Sequence, residues 1–211
     1  RAYALNRDDL YAGLPARFVR YDLPQTSGGT TVFSLLPSNA RRPVGWDAAV
    51  GRPNYLASVY GSYAVRIWRF TPAWSTGGTS TATMTGPTDV STGTFTVGPS
   101  TAPTPANSND TLTYRVMMQN QYVAPPAGAT VPRESLWITH TVGVSTVAAP
   151  AWYEVGVSSA GIGAMRQKGT YAPGDGVHRY TPSIAVDKAG NTALGFTASS
   201  RTLHPGLRYA L

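Results

Sequence analysis

Apolar residues in this chain recur at every second position in short runs, and turn-forming residues close each run, which is the pattern of pleated strands. Ser183–Val186 and Thr192–Thr197 are two such runs, separated by Asp187-Lys188-Ala189-Gly190-Asn191. A third, Gly206–Tyr209, follows Ser199-Ser200-Arg201-Thr202. Asp and Asn tolerate turn geometry and Gly supplies positive φ, so the sequence predicts strand–turn–strand–turn–strand, the rhythm of a meander or a propeller blade. Pro53–Tyr60 and Tyr63–Phe70 form a second expected hairpin across Gly61-Ser62. In its second arm Ala64, Arg66, Trp68 and Phe70 share one face and Val65, Ile67 and Arg69 the other, so the strand is expected to be buried on both sides apart from its arginines.

Further strands are expected at Arg17–Asp22 and Thr31–Leu36, joined by a turn over Gln25-Thr26-Ser27-Gly28-Gly29, and at Thr111–Met118, Ser135–Val142 and Ala151–Val157. Tyr122–Arg133, with Pro125-Pro126, reads as a loop, and Gly169–Asp175 as a turn-rich entry to the last hairpin. Asp8–Gly13 predicts one helical turn, with acidic residues at its N-terminal dipole and Gly13 stopping it. Residues 75–106 turn Thr/Ser/Gly/Pro-rich around the single strong nucleus Phe95-Thr96-Val97, as a linker or a wet, peripheral strand pair would. Arg1–Arg7 reads as a strand already in progress, as in a fragment or a chain cut from a longer precursor.

Composition sharpens this picture. The 211 residues are 42% hydrophobic and only 13% charged, a balance that suits strands and tight turns and suits helices badly. The expectation is one all-β domain over residues 1–211, with a peripheral segment at about 75–106. The absence of cysteine excludes disulfides, thiol catalysis and Cys-ligated zinc. The formal charge is +7, but the basic residues are scattered, with Arg41-Arg42 the one adjacent pair, so no nucleic-acid partner is expected. No window reaches the roughly 18 consecutive apolar residues of a membrane span.

The succession YALNRDDLYAG, LLPSN, GRPNYLAS, VRIWRF, DTLTYRVMMQN, ESLWITHTV, WYEV, QKGTYAPGDGVHRYTPSIAVDKAGNTALGFTASS and HPGLRYAL resembles the C-terminal part of large secreted bacterial proteins described as β-propellers, some labelled sialidase-like. The resemblance covers nearly the whole chain and is strongest from Trp152 onward. It implies a propeller or partial propeller of four-stranded antiparallel blades, secreted or at the cell surface. It also implies partners: the remaining blades of its own precursor or a second protein chain.

Two functions follow from that resemblance. One is an extracellular binding or structural module that takes part in assembly. The other is a sialidase-like glycoside hydrolase or glycan-binding propeller, with polysaccharide as partner. Such a hydrolase needs arginines for a substrate carboxylate and a Tyr–Glu pair. Arg66, Arg115 and Arg179 are the candidate arginines, and Trp46 and Trp74, in loops, the candidate stacking residues. Tyr153 and Glu154 are adjacent, so in a regular strand they face opposite sides, with Tyr153 in the core and Glu154 paired to an arginine. No catalytic residue is assigned. Asp187 and Asn191 are the candidate oxygen ligands, for calcium, although turn chemistry selects the same residues. His140, His178 and His204 share no metal-ligand spacing.

Overall fold

The computed structural model describes residues 1–24, 26–27, 30–40, 51–118, 120–124, 134–187 and 189–211. Strand β1 (Ala2–Leu5) leads into α1 (Arg7–Tyr11), the one helix among the described residues. Asn6 caps α1, its side-chain oxygen accepting from the N–H of Asp8 at 3.0 Å and of Asp9 at 3.1 Å. Strand β2 (Phe18–Tyr21) returns antiparallel to β1, with Leu5 opposite Phe18 and Tyr3 opposite Arg20. The Asp9 carboxylate fixes that return: it accepts from the Arg17 backbone N–H, Nε and Nη2, at 2.9, 2.8 and 2.7 Å.

A short ribbon, β3 (Thr26–Ser27) with β4 (Thr30–Thr31), precedes β5 (Leu36–Asn39). The expected hairpin then follows as β6 (Asn54–Tyr60) and β7 (Ala64–Ala73), turned by Gly61 at φ 57°. β8 (Thr81–Ser91), the small hairpin β9 (Thr101–Pro103) with β10 (Ser108–Asp110), and β11 (Asn120–Val123) come next. β12 (Glu134–Val144), β13 (Val147–Ser158) and β14 (Gly161–Thr170) form a long meander. The last three strands are β15 (His178–Val186), β16 (Thr192–Ser199) and β17 (Gly206–Ala210).

Eight strands make the main sheet, in the order β14-β13-β12-β11-β5-β6-β7-β8. Its pairs are antiparallel apart from β11 with β5. The sheet curls into a half-barrel, and its two ends meet where Lys168 of β14 donates from Nζ to the Thr92 carbonyl just past β8, at 2.5 Å. Alternation along each strand fills the concave side with one apolar core, including Tyr55, Val65, Ile67, Leu136, Ile138, Tyr153 and Val155.

The convex side is covered at two places. Sheet β15-β16-β17 lays Ile184, Leu194 and Phe196 on Trp137 and Trp152 of β12 and β13, whose rings stack at 5.9 Å. The β1–β2 ribbon lays Ala2 and Val19 on Leu56 and Phe70 of β6 and β7.

The all-β expectation holds, as do the two hairpins and the short helix, but the grouping of strands differs. The four-stranded blades expected are not the unit seen here: among the described residues the sheets have eight, three and two strands. The physical reason lies in β12, which is buried on both faces and serves two cores at once. Thr31–Leu36 does not pair with Arg17–Asp22, because β1 occupies that place. Thr111–Met118 makes a single bridge, Val116 to His140, and not a strand. There the turn wins: Asp110 Oδ1 accepts from the Leu112 N–H at 2.8 Å and Leu112 adopts φ 51°. Within the Thr-rich segment, Thr81–Ser91 is an edge strand of the main sheet, paired to β7. Arg66, expected to be the exposed exception on its face of β7, is itself buried.

Residues 95–98 cross β12 closely. A Cβ on Gly143 would stand 2.8 Å from the Val97 carbonyl oxygen and 3.2 Å from the Gly98 Cα. Gly143→Ala therefore forces two backbones apart, and an equilibrium urea melt is expected to show a loss of about 2 kcal/mol. A wild-type midpoint would contradict the close crossing.

Candidate functional site

The charged cluster joining the most distant parts of the sequence lies where β6 and β12 begin. Arg52 donates from Nε and Nη2 to the two carboxylate oxygens of Glu134, at 2.8 and 2.6 Å. The Tyr122 hydroxyl donates to Glu134 Oε2 at 2.8 Å. The Tyr55 ring tilts against that of Tyr122, with centroids 5.6 Å apart. Asn120, fully buried, donates from Nδ2 to the Tyr55 carbonyl at 3.3 Å. The Tyr55 hydroxyl and Asn120 Oδ1 are buried without a hydrogen-bond partner among the described residues.

The electrostatics of this cluster make it a lock rather than a base. The Arg52 guanidinium holds the Glu134 carboxyl below the usual range, and the Tyr122 hydroxyl adds to that. Burial, then the Glu134 contact, raises Tyr122, so its proton stays in place at neutral pH. Both Glu134 oxygens are engaged and Tyr122 is a neutral donor. Sequence reasoning missed Arg52 and Glu134, which are 82 positions apart. The available signal was a lone acid opening the apolar run Ser135–Val142.

A second buried polar pair sits in the concave core. His140 Nδ1 donates to the Thr141 carbonyl at 3.1 Å, which leaves Nε2 to accept from the Tyr153 hydroxyl at 2.9 Å. Burial pushes the His140 pKa down to about 4. Tyr153 and Glu154 point to opposite faces, as alternation requires. Glu154 lies on the convex side, where Ser135 Oγ donates to it at 2.5 Å, Gln167 at 2.9 Å, and Arg166 at 3.5 Å.

The three candidate arginines are held by different neighbours. Arg66 makes a two-pronged contact with Asp89, at 2.6 and 2.7 Å, and its guanidinium lies 3.4 Å from the Tyr60 ring centroid. Arg115 stands over the Phe33 ring at 4.7 Å. Arg179 grips Asp175 at 2.9 and 2.6 Å, between the rings of Tyr171 and Phe196. Among the described residues no contact brings the three to one cavity. Trp46 lies outside the described residues. Trp74 packs at the edge of the β1–β2 cluster and lines a shallow groove of about 340 Å³ with Leu5, Arg7 and Pro72.

Asp187 and Asn191 form a self-satisfied turn. Asp187 Oδ1 accepts from the N–H of Ala189 and of Asn191 at 2.8 and 2.9 Å, and Oδ2 from Asn191 Nδ2 at 2.9 Å. Those donors, Asn191 first, hold the Asp187 carboxyl below its ordinary value. Among the described residues no group of three His, Asp or Glu side chains is placed to hold a metal ion.

The surface shows a different kind of feature. Ala2, Ala4 and Val19 face inward from the β1–β2 ribbon, so Tyr3, Leu5 and Phe18 face outward, 55, 58 and 65% exposed. Leu10, Tyr11 and Leu14, beside them in the chain, are also exposed. The arginines around them are matched: Arg1 and Arg20 pair with Asp22, Arg7 with Asp8, and Arg17 with Asp9. Comparison with family models, with curated proteins and with solved structures gave no match.

Proposed function

We propose that this chain is a binding or structural β-module, secreted or at the cell surface, that works by attaching to another polypeptide. The observation that carries the reading is the outward face of β1–β2, where Tyr3, Leu5 and Phe18 stand in solvent. Large apolar side chains grouped on one surface mark interaction sites. An apolar centre with a rim of charged residues is the anatomy of a protein interface. An anionic membrane would favour surplus basic charge, and these arginines have acidic partners. A sugar would favour flat aromatic platforms, and aliphatic residues share this face. The placement outside the cell rests on the resemblance to secreted propeller proteins, as does a wider propeller completed by further blades.

Charge on this face tests the reading. In the cell that makes the protein, chemical cross-linking of the wild type is expected to yield a species heavier than the monomer that is joined through residues 2–21. The double variant Leu5→Lys/Phe18→Lys is expected to lose it, and Thr83→Lys, on exposed β8, to retain it. Equal yields from all three would sink the proposal.

The glycosidase reading has one observation in its favour, the Arg52–Glu134–Tyr122 cluster, which combines a tyrosine, a glutamate and an arginine. Against it, Glu134 is engaged at both oxygens and its carboxyl is held low, so it is a poor base for Tyr122. Hydrolysis of a sialoside by the wild type, abolished by Glu134→Gln in a folded protein, would promote that reading over binding.

A further inference from the structure

Among the described residues, the sheet β15-β16-β17 has one covered edge and one open edge. β15 packs on β12 and β13, whereas β17 pairs with β16 and with nothing else among the described residues. Along β17 the residues alternate: Ala210 joins the cluster under the sheet, while Leu207 and Tyr209 point away from it, 83 and 74% exposed. Leu211, next in the same phase, is 94% exposed. An open strand with exposed apolar residues is a template for another strand.

The backbone phase of that edge can be read. In an antiparallel pair, alternate residues turn both N–H and C=O toward the partner, and the residues between them turn theirs away. The Asp187 N–H donates to the Asn191 carbonyl at 3.0 Å, so by alternation Leu194, Phe196 and Ala198 of β16 turn to β17 and bond Ala210, Arg208 and Gly206, which leaves Leu207 on the open side of the strand. Tyr209 and Leu211 share its phase. The open edge therefore offers the hydrogen-bonding groups of the same residues that carry the exposed apolar side chains.

We infer that β17 is a self-complementary strand that pairs antiparallel with β17 of a second copy about a two-fold axis at Tyr209, giving one six-stranded sheet. The inference deepens the binding reading but uses a separate surface. Charge selects the register. With the axis at Tyr209, Tyr209 meets its own symmetry mate, Leu207 meets Leu211, and Arg208 meets Ala210. With the axis at Arg208, two guanidinium groups oppose each other, which costs free energy in a cross-strand pair. The interface is isologous, so it closes at two copies. The net charge of +7 on each copy opposes their approach, so salt is expected to strengthen the pair.

The lack of native cysteine makes the geometry measurable. Residues directly opposite in a hydrogen-bonded antiparallel pair have Cα atoms about 5.5 Å apart, within disulfide reach. Under mild oxidation Tyr209→Cys is expected to become a covalent dimer at least about tenfold faster than Arg208→Cys, whose symmetry mates lie on a diagonal of about 7–8 Å. Sedimentation of the wild type is expected to show mass rising from 22.3 kDa toward twice that with concentration, and rising further with salt. Faster cross-linking through Arg208→Cys overturns the register. A wild-type monomer at every concentration, with neither variant cross-linking, overturns the pairing. A heteromeric partner captured on this edge in preference to a second copy overturns the choice of occupant. None of these outcomes bears on the β1–β2 face, which the lysine variants test separately.

Discussion

Acidification from pH 6.5 to 4 is expected to remove about 3 kcal/mol of stability through His140 alone. In the folded chain its imidazole is buried and neutral, with a pKa lowered to about 4 from the ordinary 6.5. The unfolded chain binds a proton as pH falls through 6.5, while the folded chain resists until about 4. The unfolded state is therefore favoured progressively across that window, and this contribution levels off below it. Carboxylates held low in the fold, Glu134 and Asp9 among them, lose their share only below their unfolded values near 4.5 and 3.8. The two regimes therefore fall in separate windows. Thermal melts are expected to drop by roughly 6 °C between pH 6.5 and 4.5 for the wild type. His140→Gln, less stable at pH 7 but without that titrating ring, is expected to slope much less there, the remainder coming from His178, whose pKa burial also lowers. A slope unchanged by the substitution would assign the acid sensitivity to other groups.

Glu134→Ala is expected to cost about 3 kcal/mol, because it strands a half-buried guanidinium and the Tyr122 hydroxyl together. Arg52→Met leaves a carboxylate without its cation and is expected to cost a similar amount. Replacing both, as Arg52→Met with Glu134→Ala, removes the charge mismatch. The double variant is thus expected to be more stable than the sum of the single losses by at least about 1 kcal/mol. Chemical denaturation of the four proteins completes the cycle. Strict additivity would mean that Arg52 and Glu134 do not act as one unit.

Local pattern made part of this molecule legible in advance. The β6–β7 hairpin followed from Gly61 and two alternating runs, the terminal meander from Asp187, Gly190 and Asn191, and helix α1 from Asp8 and Asp9. The opposition of Tyr153 and Glu154 followed from the period of a strand alone. Sheet assembly was less legible, since alternation says that a face is buried but not against what. β12 reads like any apolar strand, yet Trp137 belongs to one core and Ile138 to another. β14 escaped notice, and β8 was expected only as part of a linker or a wet, peripheral strand pair, because an exposed edge strand of Thr, Gly and charged residues carries little alternation. Arg52 and Glu134 meet through the curl of the sheet, so no spacing in the chain announces them. The strands at Arg1–Arg7 and Arg17–Asp22 were legible, but not which alternate face turns inward, so the exposure of Tyr3, Leu5 and Phe18 was not.

The claim that this chain acts by holding another polypeptide on the β1–β2 face is tested most directly by site-specific photo-cross-linking in the producing cell. A photoreactive phenylalanine at Phe18 is expected to give a covalent adduct to a second polypeptide, mapped by mass spectrometry to peptides containing residues 2–21. The same group at Thr83, also exposed, on β8, is expected to give none. Adducts of equal yield at both positions, or none at Phe18 while the protein is folded and in place, would contradict the account.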